Sequence, residues 1–270
     1  MPEIENPIQT AAFFDLDKTI IAKSSMLAFS KTLRKNGLLN RRALVHAAYG
    51  QAVFQLVGAN ENKMEKIRKV ALDITKGWNH DYVKNIVDET LHDVVVPIIY
   101  SDALELIEQH KSEGRMIFIV SSAPSEVVEP IAKHLKADDY IATVSRLDEN
   151  GNYTGELEFY SYGSYKPQAV NRLASKYEID LNNSYAYSDS ITDVPLLECV
   201  GNPVAVNPDR DLVRYAKEQK WPIMQFTREV TLWERLPVSA LQDNRVRAAL
   251  TAVIILLGVT IFFGFRSKKH

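Results

Sequence analysis

The feature that most constrains the fold is a change of pattern at Pro97. Beyond it, amphipathic helical stretches alternate with short apolar runs, MIFIV, SYAYS and PVAVN, each bounded by polar or turn residues. Runs this short are strands, and strands separated by helices specify a parallel sheet covered on both faces. One stretch departs from that rule: YIATVSRLDENGNYTGEL reads as a strand pair around a Glu-Asn-Gly-Asn turn.

A further apolar run, AAFF, stands far upstream and ends at Asp15. Between it and Pro97 the pattern is helical. SSMLAFSKTLRKNG begins at serine caps and stops at Gly37, and a helix is entered from Asn40. ENKMEKIRKVALDITKG and NHDYVKNIVDETLHDVV follow. A four-helix block with no strand, placed inside an alternating pattern, is an insertion. The expected fold is therefore α/β, with a parallel-sheet core over 1–23 and 97–227 and an inserted α-helical cap over 24–96. PIIYSDALELIEQHKSEG, PSEVVEPIAKHL, KPQAVNRLASKYEI and TDVPLLECV supply the helices of the core.

Of the 270 residues 46% are hydrophobic and 24% charged, so a packed core is expected and global disorder is not. A net charge of -2 carries no signature of nucleic-acid binding. The lone cysteine, Cys199, excludes an internal disulfide and fits a reducing compartment; it reads as a small core residue. The six histidines show no metal-ligand spacing and read as surface or cap residues.

The C-terminal part changes character. AALTAVIILLGVTIFFGF, residues 248–265, is uncharged and lies between Arg247 and Arg266. As a helix it would reach about 27 Å, close to a bilayer's hydrocarbon thickness. We expect a transmembrane helix there, joined to the core by a linker over 228–247. The basic residues flank it on both sides and do not fix its orientation. MPEIENPIQT lacks the positive and apolar regions of a secretory signal. The expected location is the cell membrane, single-pass, with the globular part cytoplasmic.

In an open α/β sheet, ligands bind beyond the carboxyl ends of the strands. The polar residues placed there are Asp15, Asp17 and Thr19 after the first strand and Ser121 and Ser122 after MIFIV. Asp189, Ser190 and Asp193 follow SYAYS, and Lys166 opens a helix. Four carboxylates gathered at one point need a cation, and hard oxygen donors without a Cys or His pair point to Mg²⁺. A lysine and hydroxyls beside them would hold a phosphate dianion, which a carboxylate could attack to form an acyl phosphate.

FFDLDKT, MIFIVSS, YKPQAV and AYSDSITD, in that order, resemble the four motifs of the haloacid dehalogenase (HAD) superfamily, and most of all its phosphoserine-phosphatase-like branch. The helical cap between the first two motifs is similar as well, and the resemblance covers residues 10 to about 227. It implies a HAD-type Rossmann-like core and a Mg²⁺-dependent phosphatase acting through an aspartyl phosphate. Asp15 would be nucleophile and metal ligand. Asp17 would be the acid/base, with its backbone carbonyl on the metal. Ser121 and Lys166 would hold the phosphoryl oxygens, Asp189 would bind the metal, and Asp193 would support it. Thr19 and Ser122 would organise turns.

The resemblance breaks near Ser24. Phosphoserine phosphatases place an amine-binding glutamate there, whereas this chain has Lys23, Ser24 and Ser25. Lys23 and Ser24 thus become candidates for substrate specificity, and an anionic or hydroxyl-bearing leaving group is favoured over an amine. The stretch 43–60, uncharged after Arg41 and Arg42, reads either as an interior cap helix or as an apolar entrance for an acyl chain. The expected partners are a phosphorylated small molecule or lipid and, through the last helix, the membrane. A phospholipid-pathway phosphate leads, with a soluble metabolite phosphate such as phosphoserine second. A phosphotransferase and a non-catalytic, membrane-tethered regulatory protein remain as rivals.

Overall fold

The computed structural model describes residues 9–39, 61–163 and 165–228. The expected helix from Asn40, the apolar run 248–265 and all but Arg228 of the expected linker lie outside the described residues. Among those residues no helix is long and apolar enough to cross a membrane.

The strands are β1 (Ala11–Phe14), β2 (Met116–Pro124), β3 (Asp139–Leu147), β4 (Tyr153–Phe159), β5 (Tyr185–Ser188), β6 (Asn202–Val206) and β7 (Ile223–Met224). They form one seven-stranded sheet in the order β4-β3-β2-β1-β5-β6-β7. Every pairing is parallel except β3 with β4, so the strand pair read from the sequence forms an antiparallel edge. Its turn keeps Gly151 at a φ of 75°, a conformation that glycine adopts without a Cβ penalty.

Among the described residues the helices are α1 (Ser25–Lys35), α2 (Glu61–Thr75) and α3 (His80–Val94), followed by α4 (Ser101–Ser112) and α5 (Ser125–His134). Then come α6 (Tyr165–Tyr177), the four-residue α7 (Val194–Leu197) and α8 (Arg210–Gln219). All four residues of β1 are buried, as expected of a central parallel strand with both faces covered. Ala11 and Phe13 join the cluster that includes Val170 and Leu173 of α6 and Leu196 of α7, with Phe13 stacked on Phe118 at 5.1 Å. Phe14 points the other way and stacks on Tyr187 at 4.6 Å, next to His110 of α4.

Several sequence expectations need correction. The helix expected from Pro97 begins at Ser101. Before it, Val96–Ile98 is a 3-10 turn, and residues 98–100 pair with the chain leaving β1: Ala22 N donates to Ile98 O at 2.7 Å and Tyr100 N to Ile20 O at 2.9 Å. These crossing segments join cap to core. The TDVPLLECV stretch is a 3-10 turn (Ile191–Asp193) and then the short α7, with Cys199 half-buried beyond it. β7 and α8 were not anticipated. His110 is a core residue, contrary to the surface reading: its Nε2 lies 2.7 Å from Tyr187 Oη.

Further contacts hold the described cap to the core. Lys84 of α3 reaches Glu129 of α5 at 2.8 Å. The α2–α3 loop is bonded to the β3–β4 hairpin through Gly77 N to Tyr153 O (2.8 Å) and His80 N to Gly151 O (2.9 Å).

Candidate active site

β1 is flanked by β2 on one side and β5 on the other, while the chain visits β2 and β3 first and β5 to β7 later. The direction of winding reverses at β1, and a crevice opens beyond its carboxyl end. Asp15 directly follows β1 there, and its amide donates to Tyr187 O at 2.9 Å, which fixes it against β5.

Lys166, the second residue of α6, is buried and forms two ion pairs. Its Nζ lies 3.0 Å from Asp15 Oδ1 and 2.7 Å from Asp193 Oδ2. Ser188, the last residue of β5, donates to the same Asp193 oxygen at 2.7 Å. Burial alone would discharge a lysine, but the carboxylates of Asp15 and Asp193 outweigh it and hold the ammonium above its ordinary range. Asp193 makes no helix-capping bond with its side chain, which instead accepts from Lys166 and Ser188.

Burial pushes the Asp15 carboxyl well above the ordinary range; Lys166 pulls it back, and Asp193, Asp189 and Asp17 push it further. Burial also raises Asp17, against the Ser25 amide that donates to its Oδ1 at 2.9 Å. That bond ties Asp17 to the first turn of α1, where the cap begins. Burial raises Asp189 to about 7, opposed by Lys18 at 4.0 Å. The four acids expected from the sequence thus share one electrostatic site.

Ser121 is buried on β2, and its Oγ accepts from Ala123 N at 3.1 Å. Ser122 is exposed and contributes its carbonyl, which accepts from Thr143 Oγ1 at 2.8 Å. Thr19 is buried with its hydroxyl unpartnered, so the turn is held instead by Leu16 O, which accepts from Ile20 N and Ile21 N. Lys23 is exposed, and Ser24 occupies the N-cap of α1 without a side-chain capping bond.

Three contributors carried no sequence signal strong enough to single them out. Lys18 adopts a φ of 62°, which brings its ammonium to Asp189. Ser188 reads in sequence as the end of a strand. Asp209 caps α8 through Leu212 N at 2.8 Å and accepts from Ile191 N at 3.0 Å, fixing the loop that carries Asp189 and Asp193. The residue spacing of an N-cap was the available cue for Asp209.

The donor set fits a hard divalent cation. Among the described residues no group of three His, Cys, Asp or Glu side chains is arranged to hold a metal. The expected set, two carboxylates and the Asp17 carbonyl, contains only two such side chains, which is Mg²⁺'s usual economy when phosphate and water complete its shell. Burial and the neighbouring carboxylates raise Asp15 and Asp189, and a bound divalent cation would lower both.

A buried lysine among four acids at the switch point of an α/β sheet, under an inserted helical cap, defines a hydrolase of the phosphatase class. Residues 12–198 match the family of haloacid dehalogenase-like hydrolases, and the chain belongs to that family. It is similar to an "Inhibition of morphological differentiation protein" of Streptomyces azureus, with 49% identity over 91% of this chain and 88% of the relative. A probable phosphatase of Mycobacterium tuberculosis is 45% identical over 94% of this chain and 88% of its own. A substrate-bound phosphoserine phosphatase shares the fold, with a TM-score of 0.60 and 17% identity over 83% of this chain and 96% of that one.

Proposed function

We propose that this phosphatase is a Mg²⁺-dependent phosphomonoesterase working through an aspartyl phosphate. The observation that carries the reading is Asp15 at the end of β1, held 3.0 Å from a buried Lys166. Asp15 attacks phosphorus, and the bond to the leaving oxygen breaks. Asp17 gives that oxygen its proton; a carboxyl raised by burial is suited to carrying one. Asp17 then takes a proton from the water that cleaves the acyl phosphate, which frees Asp15 and releases phosphate. Lys166 and Ser121 hold the phosphoryl oxygens. Asp15, the Asp17 carbonyl and Asp189 would hold Mg²⁺, which when bound would supply the positive charge that lets a dianion approach a carboxylate.

For the substrate we propose a phospholipid-pathway phosphate, reached by a domain anchored at the cytoplasmic face of the membrane through residues 248–265. The uncharged run of that segment and the Lys23-Ser24-Ser25 sequence beside Asp17 support this reading. A soluble phosphomonoester such as phosphoserine is the second reading, favoured by the fold shared with phosphoserine phosphatase. The full chain with Mg²⁺ should hydrolyse aryl phosphates and, faster, lipid phosphates in mixed micelles. Absence of any phosphomonoester hydrolysis would refute the chemistry, and preference for soluble substrates would refute the lipid assignment. Phosphoryl transfer exceeding hydrolysis on addition of an alcohol would identify a phosphotransferase.

A further inference from the structure

We propose that the catalytic edge of the sheet is a membrane-docking surface, so that the crevice opens onto the bilayer; this rests on the membrane tether proposed above. The argument starts from strand direction. β1, β5, β6 and β7 are parallel, so the chain leaving β7 leaves at the edge that carries Asp15 and Asp189. Its path from there is fixed. Asn207 grips Phe226 by both amide and carbonyl, Phe226 N to Oδ1 at 2.9 Å and Nδ2 to Phe226 O at 3.1 Å. Asp102, in the first turn of α4, accepts from Thr227 N at 2.9 Å and Arg228 N at 3.0 Å, and Arg228 also pairs with Glu105. Ser101 N returns a bond to Arg228 O at 2.8 Å. The strap ends beside the 98–100 segment that links core to cap, on the crevice side of the sheet.

Nineteen residues separate Arg228 from the apolar run at 248, at most about 70 Å of chain. A domain of this size is about 40 Å across. Bringing the catalytic edge to the bilayer needs little of that length, whereas presenting the opposite edge would spend more than half of it running back along the domain. The surface at the catalytic edge is suited to lipid. Met26 and Leu27, in the first turn of α1 next to the Ser25–Asp17 bond, are 40% and 42% exposed, and Ile223 and Met224 at the strap 38% and 37%. Lys23 stands exposed and Lys18 half-buried at the same edge, where anionic headgroups would meet them. Apolar side chains flanked by lysines match an interfacial binding surface.

The test uses the full chain in phosphatidylcholine vesicles containing phosphatidylglycerol and a headgroup-linked quencher. In a Cys199→Ser background, a fluorophore is placed at Leu27→Cys or at Ser112→Cys, the latter exposed at the far end of α4. The Leu27 probe should be quenched at least threefold more than the Ser112 probe. Equal or reversed quenching, with the protein still floating with the vesicles, overturns the orientation and leaves the phosphatase reading intact. Failure to float overturns the tether and this inference together. Amide hydrogen exchange of the unmodified chain, in detergent and in vesicles, gives a readout free of substitutions. It should slow at residues 18–27 and stay unchanged at 110–115, and uniform slowing would refute the proposal.

Discussion

Lys166→Met tests the electrostatic core of the site. The parent buries an ammonium between Asp15 and Asp193 at 3.0 and 2.7 Å. Removing it leaves two buried carboxylates without their cation, and breaking a buried pair in this way costs about 3–5 kcal/mol. For a domain of this size that is a fall in Tm of roughly 6–20 °C. The pH dependence supplies a second signature. A carboxyl whose folded pKa lies above its unfolded one favours folding at low pH and costs stability as pH climbs through that range. Burial already places Asp15 in this class, and loss of Lys166 raises it further. The gap between parent and variant should therefore widen from pH 5 to pH 8. Urea denaturation followed by circular dichroism measures it. Lys166→Met combined with Asp193→Asn should recover at least about 1 kcal/mol of the loss, because neighbouring charges are not additive. A gap below about 1 kcal/mol, or one independent of pH, would refute the reasoning.

Asp15→Asn should lower turnover by about 10⁴-fold or more with an unchanged circular dichroism spectrum, since it removes the nucleophile and little volume. Asp17→Asn should cost about 10²–10⁴-fold on alkyl phosphates and less on aryl phosphates, whose leaving group needs no proton. Burial, reinforced by Arg115, holds His110 down at about 4. Its neutral form thus supports the fold above the unfolded pKa near 6.5, and that support fades by at most about 3 kcal/mol as pH falls from 6.5 to 4. Denaturation of His110→Gln should show a flatter pH curve than the parent over that range. A Cβ on Gly201 would stand 1.7 Å from Asn182 O, so Gly201→Ala should destabilise by about 3 kcal/mol in the same assay.

The placement of the acids was legible because of strand polarity. The apolar runs AAFF and SYAYS end where β1 and β5 end, so the next polar residue falls on the ligand edge, as Asp15 and Asp189 do. Position was legible where partnership was not. Lys166 reads as a residue opening a helix, and only folding reveals that it bridges Asp15 and Asp193, 151 and 27 residues away in sequence. His110 looked superficial because imidazole counts as polar. Its burial depends on Tyr187 Oη, 77 residues distant, completing its hydrogen bonding. β7 contributes two residues, too few to display a period of two, and is held in place by the Asn207 and Asp102 contacts that follow it. α8 is strongly amphipathic with Leu212 and Ala216 buried four residues apart, but its polar composition, RDLVRYAKEQ, hides a helix whose buried face is narrow.

Lys18 separates turn geometry from chemistry. It stands between Asp17 and Thr19 in the left-handed region at a φ of 62°, a conformation that costs an L-residue about 1–2 kcal/mol. Glycine relieves that cost but adds about 0.5–1 kcal/mol of unfolded-chain entropy. If only the backbone mattered, Lys18→Gly would be neutral or more stable by up to about 1 kcal/mol and fully active. The ammonium 4.0 Å from Asp189, however, opposes the burial that raises this carboxyl, and strain retained at such a position belongs with function. Lys18→Gly should therefore keep or gain stability while hydrolysis falls several-fold at neutral pH. Lys18→Ala should lose activity to the same degree with no stability gain. Rates and urea midpoints measured on the two variants decide the matter: parental activity in Lys18→Gly would reduce Lys18 to a turn residue and leave Asp189 without need of a cationic neighbour.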